Sequence, residues 1–206
     1  LIGAYNARNN DEGRGTFSKP SGGTRLGEKI VDERVTIFSD PTDPQLLTQP
    51  FAGDGLPLKR LVYIENGILK NFAYDRFWAQ KQGKEPTGGG GGFGGFGGGL
   101  KFVGGSKSTE ELIASTERGV LVTHFFYIRF LDPGTVLLTG LTRDGTFLIE
   151  NGKVTQPLKN FRWNESPLLL LNKIDEIGRA ESTGAGQVMP SLKARDFNFT
   201  SLSDAV

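Results

Sequence analysis

Apolar residues recur along this chain mostly in short runs at strand spacing and less often at helical spacing, and two of the runs read almost alike. Phe147-Leu148-Ile149-Glu150-Asn151-Gly152-Lys153-Val154 echoes Val62-Tyr63-Ile64-Glu65-Asn66-Gly67-Ile68-Leu69, and each copy is followed by Leu-Lys-Asn-Phe, at residues 158–161 and 69–72. An Asn-Gly pair suits a turn with positive φ at both central positions, because Asn tolerates that region and Gly enters it freely. With apolar residues on both flanks, each copy predicts a two-residue β-hairpin, and the pair predicts two similar hairpins in one sheet system.

The rest of the pattern falls around them. Residues 1–9 read as the last turns of a helix, broken at Asn10-Asp11-Glu12-Gly13. Residues 18–23 form a Pro/Gly/Ser loop, and Ile30, Val31, Val35, Ile37 and Phe38 within 27–40 predict a strand or two. Pro41, Pro44, Pro50 and Pro57 mark a long irregular loop. Residues 74–82 place Tyr74, Trp78 and Lys81 at helical spacing, with Gly83 as C-cap. Ser108 and Glu111 have capping-box spacing and predict a helix of about three turns closed by Gly119. Residues 120–131 read as one long strand covered on both faces. Val122, His124, Phe126, Ile128 and Phe130 share one face; Leu121, Phe125, Tyr127 and Leu131 share the other. Strands then follow as a meander through turns at Asp132-Pro133-Gly134 and Arg143-Asp144-Gly145. Ser166-Pro167 starts a helix over 168–177 stopped by Gly178, and 192–200 is a closing strand. The expectation is one β-rich α+β domain over 1–206, with mixed or antiparallel sheets and about three helices.

Composition narrows the chemistry. Lys and Arg number 24 against 23 for Asp and Glu, a balance that argues against direct nucleic-acid binding or membrane-surface attraction. With no cysteine, disulfides and thiolate ligands are excluded, and the single histidine, His124, leaves little for a zinc site. Oxygen-only Mg²⁺ or Ca²⁺ binding through Asp40, Asp43 and Asp54 stays open, without a ligand spacing to support it. No apolar run reaches the roughly 18 residues of a membrane helix. The chain opens at Leu1, partway through a helix and without methionine, which predicts a piece of a longer protein.

His124 is the natural general-base candidate, against the plainer reading of a satisfied sheet residue. No serine sits in a Gly-x-Ser-x-Gly elbow, so a triad has no anchor. The acidic pairs Asp11-Glu12 and Asp175-Glu176 read as solvated faces. Residues 87–99 hold ten glycines, interrupted by Phe93 and Phe96. Polyglycine satisfies Gly-x-Gly-x-x-Gly trivially and precedes no βαβ unit, so a flexible loop, acting as lid or spacer, fits better than a phosphate cradle.

The ordered series Gly27-Glu28, Ile64-Glu65-Asn66-Gly67, Pro86-Thr87-Gly88, Glu117-Arg118-Gly119 and Phe147-Leu148-Ile149-Glu150-Asn151-Gly152 resembles the C-terminal domain of the TldD/PmbA family, over residues 17–199. Members are known as candidate modulators of DNA gyrase and as subunits of a cytoplasmic peptidase. The resemblance implies two subunit types. A TldD-like one holds zinc through a His-Glu-x-x-x-His helix at the start of this domain and a cysteine near its end. A PmbA-like one lacks those ligands and pairs with the first. Here residues 1–9 contain no histidine, and 182–187 read Ser-Thr-Gly-Ala-Gly-Gln where the cysteine would fall. The resemblance therefore implies the metal-free type: no catalytic residue and no cofactor in this chain, with zinc expected only in a TldD-like partner. The alternatives are a metallopeptidase with its ligands upstream and a regulatory module linked to gyrase. It further implies a TldD-like subunit or a second copy as partner, a cytoplasmic location, and an unfolded peptide bound by strand addition, with Thr87, Gly88, Gly89 and Gly90 as the peptide-binding candidates.

Overall fold

The computed structural model describes residues 2–46, 48–88, 99–183 and 186–203. The chain divides into two compact units, Leu1–Gly104 with Ala180–Pro190 and Gly105–Arg179 with Ser191–Val206. Among the described residues it is an α+β fold in which strands outnumber helices.

The first unit opens with a 3₁₀ turn (Ile2–Tyr5) and α1 (Ala7–Asp11). Its strands are β1 (Ile37–Ser39), β2 (Leu61–Glu65), β3 (Ile68–Leu69) and β4 (Lys101–Phe102), with α2 (Arg76–Gln82) between β3 and β4. Two longer strands, β11 (Ile174–Ser182) and β12 (Val188–Ala194), have their adjoining ends in this unit and complete a six-stranded sheet of order β11-β12-β4-β1-β2-β3. The β12–β4 pairing is parallel and the β1–β2, β1–β4 and β2–β3 pairings are antiparallel, so the sheet is mixed. Tyr5, Phe17, Val31, Val35, Ile64, Leu69 and Phe72 are almost fully buried and form the core. Each such side chain contributes about 1.5–3 kcal/mol.

The second unit holds α3 (Thr109–Ala114), β5 (Arg118–Val122), β6 (Phe125–Asp132), β7 (Leu137–Thr142), β8 (Thr146–Glu150), β9 (Lys153–Pro157), β10 (Asn160–Glu165), the one-turn α4 (Pro167–Leu170) and β13 (Phe199–Ser203). These strands make two antiparallel sheets, β13-β10-β7-β6 and β5-β8-β9. Its buried apolar residues are few: Leu112, Val136, Ile149, Trp163, Leu171 and Ile174.

The caps follow the sequence. Asp75 accepts from Trp78 N at 2.7 Å to start α2, and Gly83 ends it in the left-handed region at φ 63°. Ser108 and Glu111 form the reciprocal capping box of α3. That helix is shorter than the spacing predicts. The hydroxyls of Ser115 and Thr116 both donate to Leu112 O, the chain leaves the helix at Ser115, and Gly119 lies in β5.

Both Asn-Gly hairpins form, with Asn66 and Asn151 each at φ 50° and Gly67 and Gly152 each at 76°. They lie in different sheets, not in one. Each tip is gripped by the backbone that precedes its meander. Gly67 N donates to Val35 O at 2.9 Å, and Ile30 N donates to Gly67 O at 2.8 Å. Asn151 N donates to Glu117 O at 2.7 Å and Gly152 N to Thr116 O at 2.9 Å. A Cβ on Gly67 would stand 2.4 Å from Val31 O, and one on Gly152 2.6 Å from Ala114 O. Glycine is therefore required twice at each tip's docking residue, by φ and by close approach.

Three expectations are corrected. Residues 120–131 are not one strand: Thr123 N and Oγ1 both donate to Gly145 O and Arg143 N donates to His124 O, so the chain changes sheets between β5 and β6. Tyr127 has φ 53° and β6 carries two register shifts against β7, which scramble its face alternation and leave the whole strand exposed. Residues 168–177 form one helical turn and then enter β11, with Gly178 inside that strand, because β-branched Ile174 and Ile177 join the sheet. Finally, 192–200 is not one closing strand but belongs partly to β12 and partly to β13, whereas 27–40 yields one short strand, β1, within the expected one or two.

Candidate functional site

The peptide-binding candidates follow α2, and the local chain explains two of them. After Gly83 turns the backbone, Lys84 N returns to Ala79 O, and Thr87 closes the loop onto Tyr74. Thr87 N donates to Tyr74 O at 3.0 Å while Thr87 Oγ1 accepts from Tyr74 N at 2.9 Å. Gly88, buried and at φ 79°, passes so near residues 57 and 58 that a Cβ would lie 3.1 Å from both Pro57 O and Leu58 Cδ2. Gly89 and Gly90 lie outside the described residues, as does most of the glycine tract. Thr87 thus has its N–H and hydroxyl committed to Tyr74, and Gly88 serves a close backbone approach.

Beside this loop stands a constellation that spacing alone did not reveal. Asp11 Oδ2 accepts from Trp78 Nε1 at 2.8 Å and from Tyr74 Oη at 3.4 Å, and Lys84 Nζ donates to the same phenol. The guanidinium of Arg8 and the ammonium of Lys81 lie over the Trp78 ring at 5.5 and 5.1 Å, and that of Lys84 over Tyr74 at 4.5 Å. Asp11 therefore carries two aromatic hydrogen bonds, which corrects its reading as part of a solvated acidic face. Its neighbour Glu12 does face solvent, paired with Arg8 and Arg14, whose hydrogen bonds hold its carboxyl below the ordinary range. Deeper in the same unit, Tyr5 stacks on Tyr63 with centroids 4.7 Å apart, and burial pushes both phenols well above their ordinary range. The Tyr5 hydroxyl has no hydrogen-bond partner among the described residues.

In the second unit His124 sits in the exposed break between β5 and β6, its Nδ1 2.8 Å from Asp144 Oδ2. It is thus an exposed sheet-end histidine with a carboxylate partner. A serine also meets a lysine: Lys193 Nζ lies 3.3 Å from Ser115 Oγ. A lysine acting as base must be neutral, and this one is held by Glu176 Oε1 at 3.3 Å and donates to Ser115 O at the end of α3 at 2.9 Å. It is a helix C-cap cation. Glu176 also pairs with Lys107 and accepts from Ser115 Oγ at 2.9 Å. Led by the Lys107 contact, these interactions hold its carboxyl down to about 2.

A metal fits poorly on the residues described. No three His, Cys, Asp or Glu side chains converge among them. Asp40, Asp43 and Asp54 are each engaged elsewhere, by Thr42 and Arg60, by Lys101 at 2.6 Å, and by Leu56 N at 3.1 Å. No helix among the described residues is long and apolar enough to cross a membrane.

The family described as PmbA/TldA metallopeptidase C-terminal domain matches residues 1–201. A metalloprotease of Methanothermobacter thermautotrophicus is 29% identical over 172 residues, covering 79% of this chain and 36% of its own length. Among solved structures, TldE from Thermococcus kodakarensis superposes with a TM-score of 0.80 at 27% identity, over 98% of this chain and 46% of that one. A candidate modulator of DNA gyrase from Bacteroides thetaiotaomicron gives 0.80 at 26% identity, over 98% and 43%. The chain spans less than half the length of each of these relatives.

Proposed function

The chain belongs to the family of PmbA/TldA metallopeptidase C-terminal domains, and from that premise we propose that it is the non-catalytic partner in a cytoplasmic peptidase assembly. In this reading it scaffolds a TldD-like, zinc-bearing subunit that cleaves unfolded peptides. One observation carries the reading: a chain of a metallopeptidase family has a single histidine and no cysteine, and that histidine is paired with Asp144 in an exposed turn. Zinc would supply a polarised water wherever it is bound, and no step of that chemistry is assigned to residues of this chain.

Its own contribution is to bind and hold. Thr87 and Gly88 are fixed against Tyr74 and Pro57, and the glycine-rich sequence to which Gly88, Gly89 and Gly90 belong lacks side chains, which suits close approach by an extended peptide backbone. Arg8, Lys81 and Lys84 beside that loop would attract the carboxylate end or acidic side chains of such a peptide.

The test is to purify the full-length protein alone and with its zinc-bearing partner, then measure metal by elemental analysis and cleavage of an unfolded peptide. Activity is expected only with the partner present. Stoichiometric zinc together with cleavage by the protein alone would overturn the scaffold role.

A further inference from the structure

The two docked hairpin tips carry a chemistry that their role as turns leaves unused. Asn-Gly is the sequence in which an asparagine side chain most readily closes on its own main chain, because glycine puts no Cβ in the way. The glycine nitrogen loses its proton and attacks the asparagine Cγ. The side-chain nitrogen leaves as ammonia, carrying that proton, and a cyclic succinimide joins the two residues. Water is the only co-reactant: it opens the ring at either carbonyl to give aspartate or isoaspartate. In isoaspartate the main chain runs through the former side chain and is longer by a methylene.

Asn66 and Asn151 are both exposed, but the amides that would attack them are held. Gly67 N donates to Val35 O and Gly152 N to Thr116 O, each at 2.9 Å. A donating amide must leave its acceptor before it can lose its proton, so cyclisation waits on undocking of the tip. The two grips are unequal. On the first tip Gly67 O also accepts from Ile30 N at 2.8 Å and Val31 N at 3.3 Å, and Asn66 N donates to Thr36 Oγ1 at 3.1 Å. On the second, Asn151 N donates to Glu117 O at 2.7 Å. Gly67 is buried and Gly152 half-buried, so the first tip opens less often than the second. Conversion also hinders re-docking. With a Cβ at either glycine already 2.4 or 2.6 Å from a carbonyl oxygen, a longer main chain cannot seat on the same acceptors. The new carboxylate follows Glu65 or Glu150 directly, and like charge opposes its return.

We propose that Asn66 and Asn151 are succinimide-forming modification sites gated by undocking of their hairpin tips, and that isoaspartate then holds an opened tip open. The proposal does not depend on the peptidase reading, and its test reads no activity. The full-length protein is incubated at mildly alkaline pH, native and in guanidinium chloride. Peptides carrying residues 66 and 151 are followed by mass spectrometry for loss of the amide and by isoaspartyl methylation for the isomer. Native conversion is expected at both sites, at least ~10-fold slower than in denaturant, and slower at Asn66 than at Asn151. Thr36→Val removes one bond of the first tip with little change of shape; it should raise Asn66 conversion about fivefold and leave Asn151 at its parent rate. No native conversion, native rates equal to denatured ones, faster conversion at Asn66, or a Thr36→Val variant that spares Asn66 or speeds both sites alike would each overturn the gating. Should that variant fold poorly, hydrogen exchange on the parent decides: the better-protected tip must be the slower to convert, and the reverse order refutes the proposal. Converted protein, separated by its added charge, should lose exchange protection at the converted tip; retained protection there refutes the latch.

Discussion

Replacing Gly67 by alanine isolates what the docked hairpin tip contributes. At φ 76° an alanine pays about 1 kcal/mol for the left-handed conformation. Its Cβ would also stand 2.4 Å from Val31 O and 2.8 Å from Asp32 O, both backbone atoms that cannot rotate away. The tip must then lift, at an overpacking cost of about 1–3 kcal/mol. Lifting weakens the bonds of Gly67 N to Val35 O and of Ile30 N to Gly67 O, each worth about 1 kcal/mol. The expected loss is about 3–4 kcal/mol. Gly83→Ala is the matched control, since Gly83 is also left-handed, at φ 63°, but a Cβ there meets nothing within 4 Å; it should lose only about 1 kcal/mol. Each unit has one tryptophan, Trp78 and Trp163, so urea titration in a Trp163→Phe background reports the unit that contains Gly67. If Gly67→Ala and Gly83→Ala lie within about 0.5 kcal/mol of each other, the docking argument fails.

Two further outcomes follow from polar groups. Asn10 is buried, its Nδ2 donating to Ala4 O and Asn6 O and its Oδ1 accepting from Phe17 N at 2.8 Å; Asn10→Leu should cost about 3 kcal/mol in the same titration, because three side-chain bonds to backbone are lost and only Asn6 O keeps another donor, the N–H of residue 10. Glu176 has a folded pKa of about 2 against an ordinary 4.5, so the stability it lends is full above pH 4.5 and is lost as pH falls toward 2. The melting-temperature gap between parent and Glu176→Gln should therefore close between pH 5 and 2, and a gap that stays constant would contradict the pairing with Lys107.

What the sequence made legible was local. Asn-Gly turns, the Ser108–Glu111 box and the Gly83 cap depend on residues within a few positions, and all formed. The errors arose where distant partners decide. Continuity of 120–131 was broken by Gly145, more than twenty positions away, whose carbonyl takes both donors of Thr123. Gly178 looks like a helix stop but lies where a Cβ would press on Leu112 and Ser191 O, a packing reason invisible to spacing. Pro86-Thr87-Gly88 was legible as a sequence motif, whereas Asp11 reaching Trp78 across 67 positions was not.

The division of the chain also sets an order of assembly on the ribosome. The first unit is interrupted after Gly104 and resumes only at Ala180, and Val188 N must reach Leu100 O before β12 can pair with β4. At ~5–20 residues per second, translation leaves β4 without that neighbour for several seconds or longer. During that interval Leu100 and Phe102, deeply buried in the finished fold, sit on an incomplete sheet edge, the kind of nascent surface that chaperones hold. A stop codon just after residue 104 would leave that edge permanently open.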